Sequence, residues 1–484
     1  MSASQRLKVV LAWHMHQPQY QDLLTGEYHL PWTYLHAIKD YVDMAAHLEA
    51  VPAARAVVNF APILLEQLAD YAAQIERFLH EGTPIRDPLL AALASPSMPS
   101  GSAARSVLID ACRRAHDQRM IERFPPYREL CELATRVDQQ PFNIDYLSEG
   151  FQADLLVWYH LAWIGETVRR SDLRVRRLMD RERGYRHADR RELLVLIGEL
   201  IASIVPRYRA LAARGQVELS VTPYAHPILP LLLDFSSAHQ AMPGAALPPG
   251  SYPGGLDRAR WHIRHGFEIF ERHFGFRPVG CWPAEGSVDE ASLSLLAEAG
   301  VEWVATGEGV LAHSLHAGGH APHAFREAWL YRSYRTSRGP ACFFRDDDLS
   351  DRIGFRYATW HADDAVADLV HALELSAGRC HEHPDRVVSI VLDGENAWEH
   401  YPENGYYFLS ALYRKLADHP RLELTTFHDA LAASPPHDLR PLIAGSWVHG
   451  NFSTWIGDPQ KNHGWELLVE AKRAFDGATF LTIS

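Results

Sequence analysis

The chain is 484 residues long, 47% hydrophobic and 22% charged, the profile of a globular protein with room for one large domain and a smaller one. Its 60 acidic residues against 47 basic ones leave a formal charge of −13, which repels phosphate and argues against a nucleic-acid partner. No stretch approaches the roughly 20 apolar residues of a membrane span. The five cysteines, Cys112, Cys131, Cys281, Cys342 and Cys380, lack CxxC spacing and point to the reduced thiols of a cytoplasmic protein.

In chain order, the first apolar run, residues 9–13, is too short for a signal-peptide core and is followed at once by His14 and His16. Residues 8–12 and 56–60 read as strands, residues 94–104 as a loop rich in Pro, Gly and Ser, and residues 142–166 as a helical insertion rich in Trp and Tyr. Leu193, Leu196, Ile197, Leu200, Ile201, Ile204, Tyr208 and Leu211 mark a long amphipathic helix with Gly215 at its end. The strand 217–221 then runs into Thr222-Pro223-Tyr224, and residues 241–255 form a second Pro- and Gly-rich loop.

The clearest unit spans residues 257–306. Asp257 is placed to cap a helix with Ile263, Phe267, Phe270 and Phe274 on its apolar face, and Gly275 to end it. A short strand, 278–282, leads to Pro283-Ala284-Glu285, after which Ser287 and Glu290 have capping-box spacing for a helix stopped by Gly300 and followed by the strand 301–306. Residues 387–392 form another strand, ending at Asp393-Gly394-Glu395-Asn396, and residues 434–441 read as a linker. Strands alternating with helices imply a parallel sheet, and the length favours a barrel. The expected organisation is a barrel domain over residues 1–433 with helical insertions, then a linker and the start of a helical region over 434–484.

In such a barrel the C-terminal strand ends share one face. Asp393 follows six mostly apolar residues, where desolvation would lift its pKa toward that of a proton donor; an N-cap role, or Glu395 or Glu399 as the acid, stays open. Glu285 lies beside Trp282, and an indole next to a carboxylate suits a sugar, although a helix-start Glu favoured by the dipole would look the same. Two carboxylates from different strand ends are what glycosidic cleavage requires. The pair His14 and His16 also resembles the metal-binding start of amidohydrolase-type barrels, with His226 and His449 as the nearest further ligands at poor spacing.

Together these clusters resemble glycoside hydrolase family 57, which includes α-amylases, amylopullulanases, 4-α-glucanotransferases and branching enzymes. His16-Gln17-Pro18, Gly215-Gln216-Val217-Glu218-Leu219, Trp282-Pro283-Ala284-Glu285, Asp393-Gly394-Glu395-Asn396 and the run from Trp455 through Gly457, Asp458 and Pro459 to Asn462 are similar to its five motifs, in order. The third differs from the commoner Trp-Leu-Pro-Glu, with the Glu in register. The runs that begin at Arg345 and at Asp393 look most like the α-amylase and amylopullulanase subgroup. The resemblance implies a distorted, TIM-like (β/α)7 barrel, a retaining double displacement on α-glucans with α-1,4 and α-1,6 bonds as candidates, and neither cofactor nor obligatory metal. It implies Glu285 as nucleophile and Asp393 as acid/base. It also implies His14, His16, Glu218, Trp282, Glu395, Trp455 and Asp458 as sugar-binding residues. Relatives usually continue for a substantial helical region beyond the fifth motif. Here the chain reaches Ser484, so a short helical segment, truncated against the family, is expected. A 4-α-glucanotransferase or branching enzyme would use the same site. A metal-dependent hydrolase built on His14 and His16, or a catalytically silent carbohydrate-binding relative, are the readings from other classes.

Overall fold

Strand β1 (Leu7–Met15) is apolar on both faces, as a parallel strand must be when helices cover it outside and side chains pack it inside. In chain order it is followed by β2 (Ala56–Phe60), β3 (Val217–Val221), β4 (Gly280–Cys281), β5 (Trp303–Gly307), β6 (Tyr334–Arg335), β7 (Ala341–Arg345), β8 (Val387–Asp393), β9 (Leu422–Leu424) and β10 (His437–Asp438). These come from a computed structural model that describes residues 6–138, 144, 146–320, 325–380, 383 and 385–481. Parallel pairing runs β1–β2–β3–β4–β5–β7–β8 and back to β1, the ring closing where Arg345 of β7 meets Ser389 of β8. The expected (β/α)7 barrel is therefore present. Strand β6 pairs antiparallel with β7 and carries β10, and β9 pairs with the first residues of β1.

Helices Gly255–Phe274, Glu290–Glu298 and Ala362–Arg379 make the crossovers that follow β3, β4 and β7. Between β2 and β3 the chain makes a long helical excursion, from Pro62–Glu81 to His187–Ala213, with Glu149–Trp163 buried in its middle. Part of the insertion read at residues 142–166 lies outside the described residues, namely 142, 143 and 145.

Side chains alternate along a strand, so one set of alternate positions faces the barrel axis. That set is Val10 and Ala12 on β1, Val57 on β2, Trp303 and Ala305 on β5, Ala341 and Phe343 on β7, and Val387 and Val391 on β8, which pack as one cluster. Phe427 and Ala430, from the helix Phe427–Ala433, close it from below. The Trp303 ring fills the axis so fully that a Cβ on Gly280 would lie 2.0 Å from it, hence glycine at that turn of β4. Extending the alternation by one step takes four of these five strands to a polar residue at the upper end, His14, Asn59, Arg345 and Asp393, and β5 to Gly307. The same alternation that builds the core thus aims the polar groups into the barrel mouth.

Local signals shifted by a residue or two. The helix expected from Asp257 begins at Gly255, and Gly275 ends it at φ 83°. The box expected from Ser287 and Glu290 is made instead by Asp289, which accepts from the Ser292 backbone amide while the Ser292 hydroxyl accepts from that of Asp289. The longer, charged Asp289 side chain takes the cap because the helix starts only at Glu290. All five cysteines are free and buried. Among the described residues no helix is long and apolar enough to cross a membrane.

Candidate functional site

A cleft of about 610 Å³ opens at the C-terminal ends of the strands, and both Glu285 and Asp393 line it. They come from β4 and β8, strands on opposite sides of the ring. Glu285 sits just after β4 in a short turn with left-handed backbone, φ 55° and ψ 26°. A non-glycine residue held there costs of order 1–3 kcal/mol, and such strain concentrates at functional sites. Ala225 and His226, opposite it, are also left-handed, both at φ 56°.

Trp447 holds Glu285 in place. Its indole Nε1–H donates to Oε2 at 3.0 Å and its backbone N–H donates to the Glu285 carbonyl at 3.1 Å. Burial pushes the Glu285 carboxyl above the ordinary range, the Trp447 donor pulls it back, and the nearby Asp393 charge pushes it up again. Asp393 is likewise raised by burial, against the Asn396 amide, which donates to Oδ2 at 2.7 Å, and the positive charge of Arg345. Burial is thus the main cause of the rise in both carboxyls, and the Asp393 charge adds to it at Glu285.

Arg345 links the two stations. Its Nε–H donates to the Val391 carbonyl on β8 at 2.9 Å, its other nitrogens bind Asp347 and Asp351, and its guanidinium lies 5.2 Å from the Trp447 ring centroid. Removing it would free both the indole on Glu285 and a field on Asp393.

The opposite wall is uncharged. His14 Nδ1 lies 2.7 Å from Asn59 Oδ1, and its Nε2 lies 3.1 Å from Nε2 of His226. His16 stacks on His226 at 4.0 Å, and His226 Nδ1 lies 3.8 Å from Glu285 Oε1. Burial lowers His14 to about 4 and His16, with help from His14, to about 3. His226 falls well below its ordinary value for the same reason, aided by His16 and His14. All three are neutral at pH 7. Their ligand atoms lie within 4.8 Å of one another, the spacing of a metal cluster. Their rings lie within 11° to 19° of parallel, and His14 already engages both nitrogens, Nδ1 with Asn59 and Nε2 with His226. His449 is exposed and outside this group.

The remaining expected residues divide. Glu395 lines the cleft but is 2% exposed, and its Oε1 accepts from the His16 backbone and the Gln17 amide, both at 3.2 Å. It ties down the loop after β1, and burial holds its carboxyl well above the usual range. Trp282 lies under the cleft at 3% exposure, packed edge-on against Trp447, and does not line it.

Three expected sugar ligands are elsewhere. Glu218 is at the lower end of β3, where its oxygens accept from Trp303 Nε1 at 2.6 Å and the His428 backbone at 3.0 Å. A strand's first residues lie at the face opposite the site, so Glu218 cannot reach a sugar in the cleft. Asp458 is exposed and caps the helix Pro459–Leu481, accepting from the Gln460 amide at 2.9 Å. Trp455 accepts through its carbonyl from Trp465 Nε1, again away from the cleft. The sequence reading missed Asn59, His226, Arg345 and Trp447.

The sequence profile described as glycosyl hydrolase family 57 matches residues 10–443. Among curated proteins no sequence matches the chain. Among solved structures, a branching enzyme from Pyrococcus horikoshii is similar at TM-score 0.56 and 14% identity, covering 95% of this chain and 76% of its own. The α-amylase AmyC from Thermotoga maritima is similar at TM-score 0.52 and 15% identity, covering 93% of this chain and 79% of its own. The branching enzyme TK1436 from Thermococcus kodakaraensis gives TM-score 0.52 and 15% identity, with 95% of this chain and 77% of that one covered. At such identities these likenesses speak for the fold, and the profile match over most of the chain speaks for descent: the chain belongs to glycosyl hydrolase family 57.

Proposed function

We propose that this protein cleaves α-glucans with retention, through a covalent glycosyl-enzyme, using Glu285 as nucleophile and Asp393 as acid/base. The observation that carries the reading is the opening of these two buried carboxyls, from opposite sides of the barrel, into one cleft. Asp393 gives its proton to the glycosidic oxygen as Glu285 attacks the anomeric carbon, and then takes a proton from the incoming water or sugar hydroxyl as the ester is displaced. Trp447 favours the anionic form of Glu285 that attack requires, and the neutral imidazoles of His14 and His16 offer hydrogen bonds to sugar hydroxyls without adding charge. The α-glucan assignment rests on membership of the family and on amylases and branching enzymes among the similar structures. The five buried free thiols suit a reducing compartment, and we assign the protein to the cytoplasm on that ground.

The test is product analysis after incubation with maltoheptaose, beside Glu285→Ala. Shorter oligomers alone mark water as acceptor, and longer ones beside them mark transfer. The variant should be silent, with azide, entering from the face that Glu285 vacated, restoring turnover as a glycosyl azide of inverted configuration. Near-normal turnover by Glu285→Ala would remove the nucleophile assignment. Activity lost on chelation and restored by a divalent metal would favour the hydrolase built on His14, His16 and His226.

A further inference from the structure

The motif after Asp393 continues well past the residues that the chemistry uses, through Trp398, Tyr401 and Glu403 to Tyr406 and Tyr407. Its later half forms the wall of a second cavity. At about 930 Å³ this is larger than the catalytic cleft, and it lies between the loops that follow β7 and β8, on the same C-terminal face of the barrel. Arg119 and Tyr401 line both this cavity and a narrow neck of about 20 Å³, and Glu399 lines both the neck and the catalytic cleft. A neck of that size holds about one water. The two chambers are therefore neighbours with a shared wall, and a chain joining them would pass over the rim.

We propose that this cavity is a second binding site for α-glucan, which holds a distant part of the chain whose other segment lies in the catalytic cleft. The proposal rests on the α-glucan reading above. Sugars bind where flat apolar faces meet hydrogen-bonding groups, and the lining supplies both. Tyr407 is an exposed ring, at 51%, and Trp360 is half-buried beside it in the lining. Each carries an arginine near its face, Arg356 at 5.1 Å and Arg170 at 5.0 Å, and meets a neighbouring tyrosine edge-on, which holds the ring in place in the wall. His361, Asp363, Glu403 and Ser410 place polar groups between the rings.

The wall is held in a costly conformation. Glu403, Asn404 and Gly405 are successively left-handed, at φ 45°, 53° and 71°. Asn404 is held there by Lys39, which donates to its Oδ1 at 3.1 Å, and by its own donation to Asp43 at 3.1 Å. This turn puts Glu403 into the cavity wall and starts the helix Tyr406–Ala417 with its two tyrosines at the rim.

The chemistry disfavours an anionic ligand. Of the three arginines in the wall, Arg119 is committed to the carbonyls of His400 and Ala358, and Arg170 to Glu166 and the Tyr407 hydroxyl, while the third, Arg414, shares the lining with two carboxylates, Asp363 and Glu403. The chain as a whole carries −13. A neutral, hydroxyl-rich polymer fits, and the catalytic cleft proposed next door would hold its other end.

The test compares the wild-type chain with Trp360→Ala/Tyr407→Ala and with the milder Tyr407→Ala alone, in native gels cast with soluble amylopectin and in turnover of maltoheptaose. The double variant should lose most of its retardation, roughly a fivefold or greater rise in apparent dissociation constant, since truncating an aromatic anchor costs more than about 1 kcal/mol. The single variant should lose part of it. Maltoheptaose turnover, confined to the cleft, should be unchanged in both. Unchanged retardation in the double variant, or a wild type that turns over maltoheptaose yet passes amylopectin unretarded, overturns the second site. A wild type with neither turnover nor retardation overturns the α-glucan reading itself.

Discussion

The barrel buries carboxylates at both ends, and the two ends treat them differently. At the lower end Glu218 points inward from β3 with one oxygen filled by Trp303 Nε1–H and the other by the His428 backbone N–H. At the upper end Glu285 has one donor, Trp447, and Asp393 has Asn396, and both line an open cleft. Burial raises the pKa at both ends, so a shifted pKa does not separate them. Glu218 also lines a groove, of about 470 Å³, so facing a cavity does not separate them either; an oxygen left without a donor does. A buried carboxylate whose lone pairs are satisfied is part of the framework, and one with lone pairs aimed into a cleft is available for chemistry.

The largest effect should come from Asp393→Asn, which keeps the shape and removes the proton. Turnover of maltoheptaose should fall by roughly 10²- to 10⁴-fold. Aryl glycosides with activated leaving groups should lose far less in the step that forms the glycosyl-enzyme, because they leave without protonation. Equal losses on both substrates would take the acid role away from Asp393.

Trp447→Phe comes next. It keeps a ring beside Arg345 and deletes the N–H on Glu285 Oε2. A hydrogen bond to a charged group is worth about 1.5–3 kcal/mol, so kcat/KM should fall roughly 10- to 100-fold. The acid limb of its pH profile should also move to higher pH. The donor favours the ionised form of Glu285, and without it ionisation needs a higher pH. A limb that stays put would make Trp447 a packing residue only.

The contrasting variant at the lower end is Glu218→Gln. Gln keeps one acceptor and turns an amide toward one of two N–H donors. Stability should fall by about 1–3 kcal/mol through a buried mismatch, while maltoheptaose kinetics stay within about twofold. Unfolding midpoints and kinetics of the same preparation check both halves. A large loss in kcat with an unchanged midpoint would return Glu218 to the catalytic side of the comparison.

How far the sequence reveals this division depends on what each residue needs. His14, His16, Glu285 and Asp393 were legible because each directly follows or ends an apolar run, and the strand ends of a barrel converge. Asn59 and Arg345 obey the same alternation: AVVNF and ACFFR each place a polar residue on the inward face near the top, so counting by twos would have found them. Trp447 and His226 carry no such signal. One arrives from a loop 162 positions beyond Glu285, and the other sits in a left-handed turn that no periodicity encodes. Glu218, Trp455 and Asp458 do not line the cleft, and motif membership does not distinguish a residue that faces a cleft from one that holds a strand bottom or caps a helix.

The smallest effect concerns the neutral wall. His16 is lowered to about 3 by burial and by His14. Between that value and the ordinary 6.5 the unfolded chain binds a proton that the folded protein refuses, so stability rises with pH across the window and is lost on acidification. Glu218, raised by burial, acts with the opposite sign, its contribution being lost as pH rises through its folded value. Carboxyl contributions of that kind are common to wild type and variant, so a difference measurement isolates the imidazole. Each such group changes stability by about 1.4 kcal/mol per pH unit inside its window. His16→Asn should therefore show a smaller drop in unfolding midpoint between pH 6.5 and pH 4.5, by roughly that slope. An identical drop in both proteins would mean that His16 titrates as an exposed imidazole, and that the wall facing Glu285 is wetter and more cationic than its stacked geometry requires.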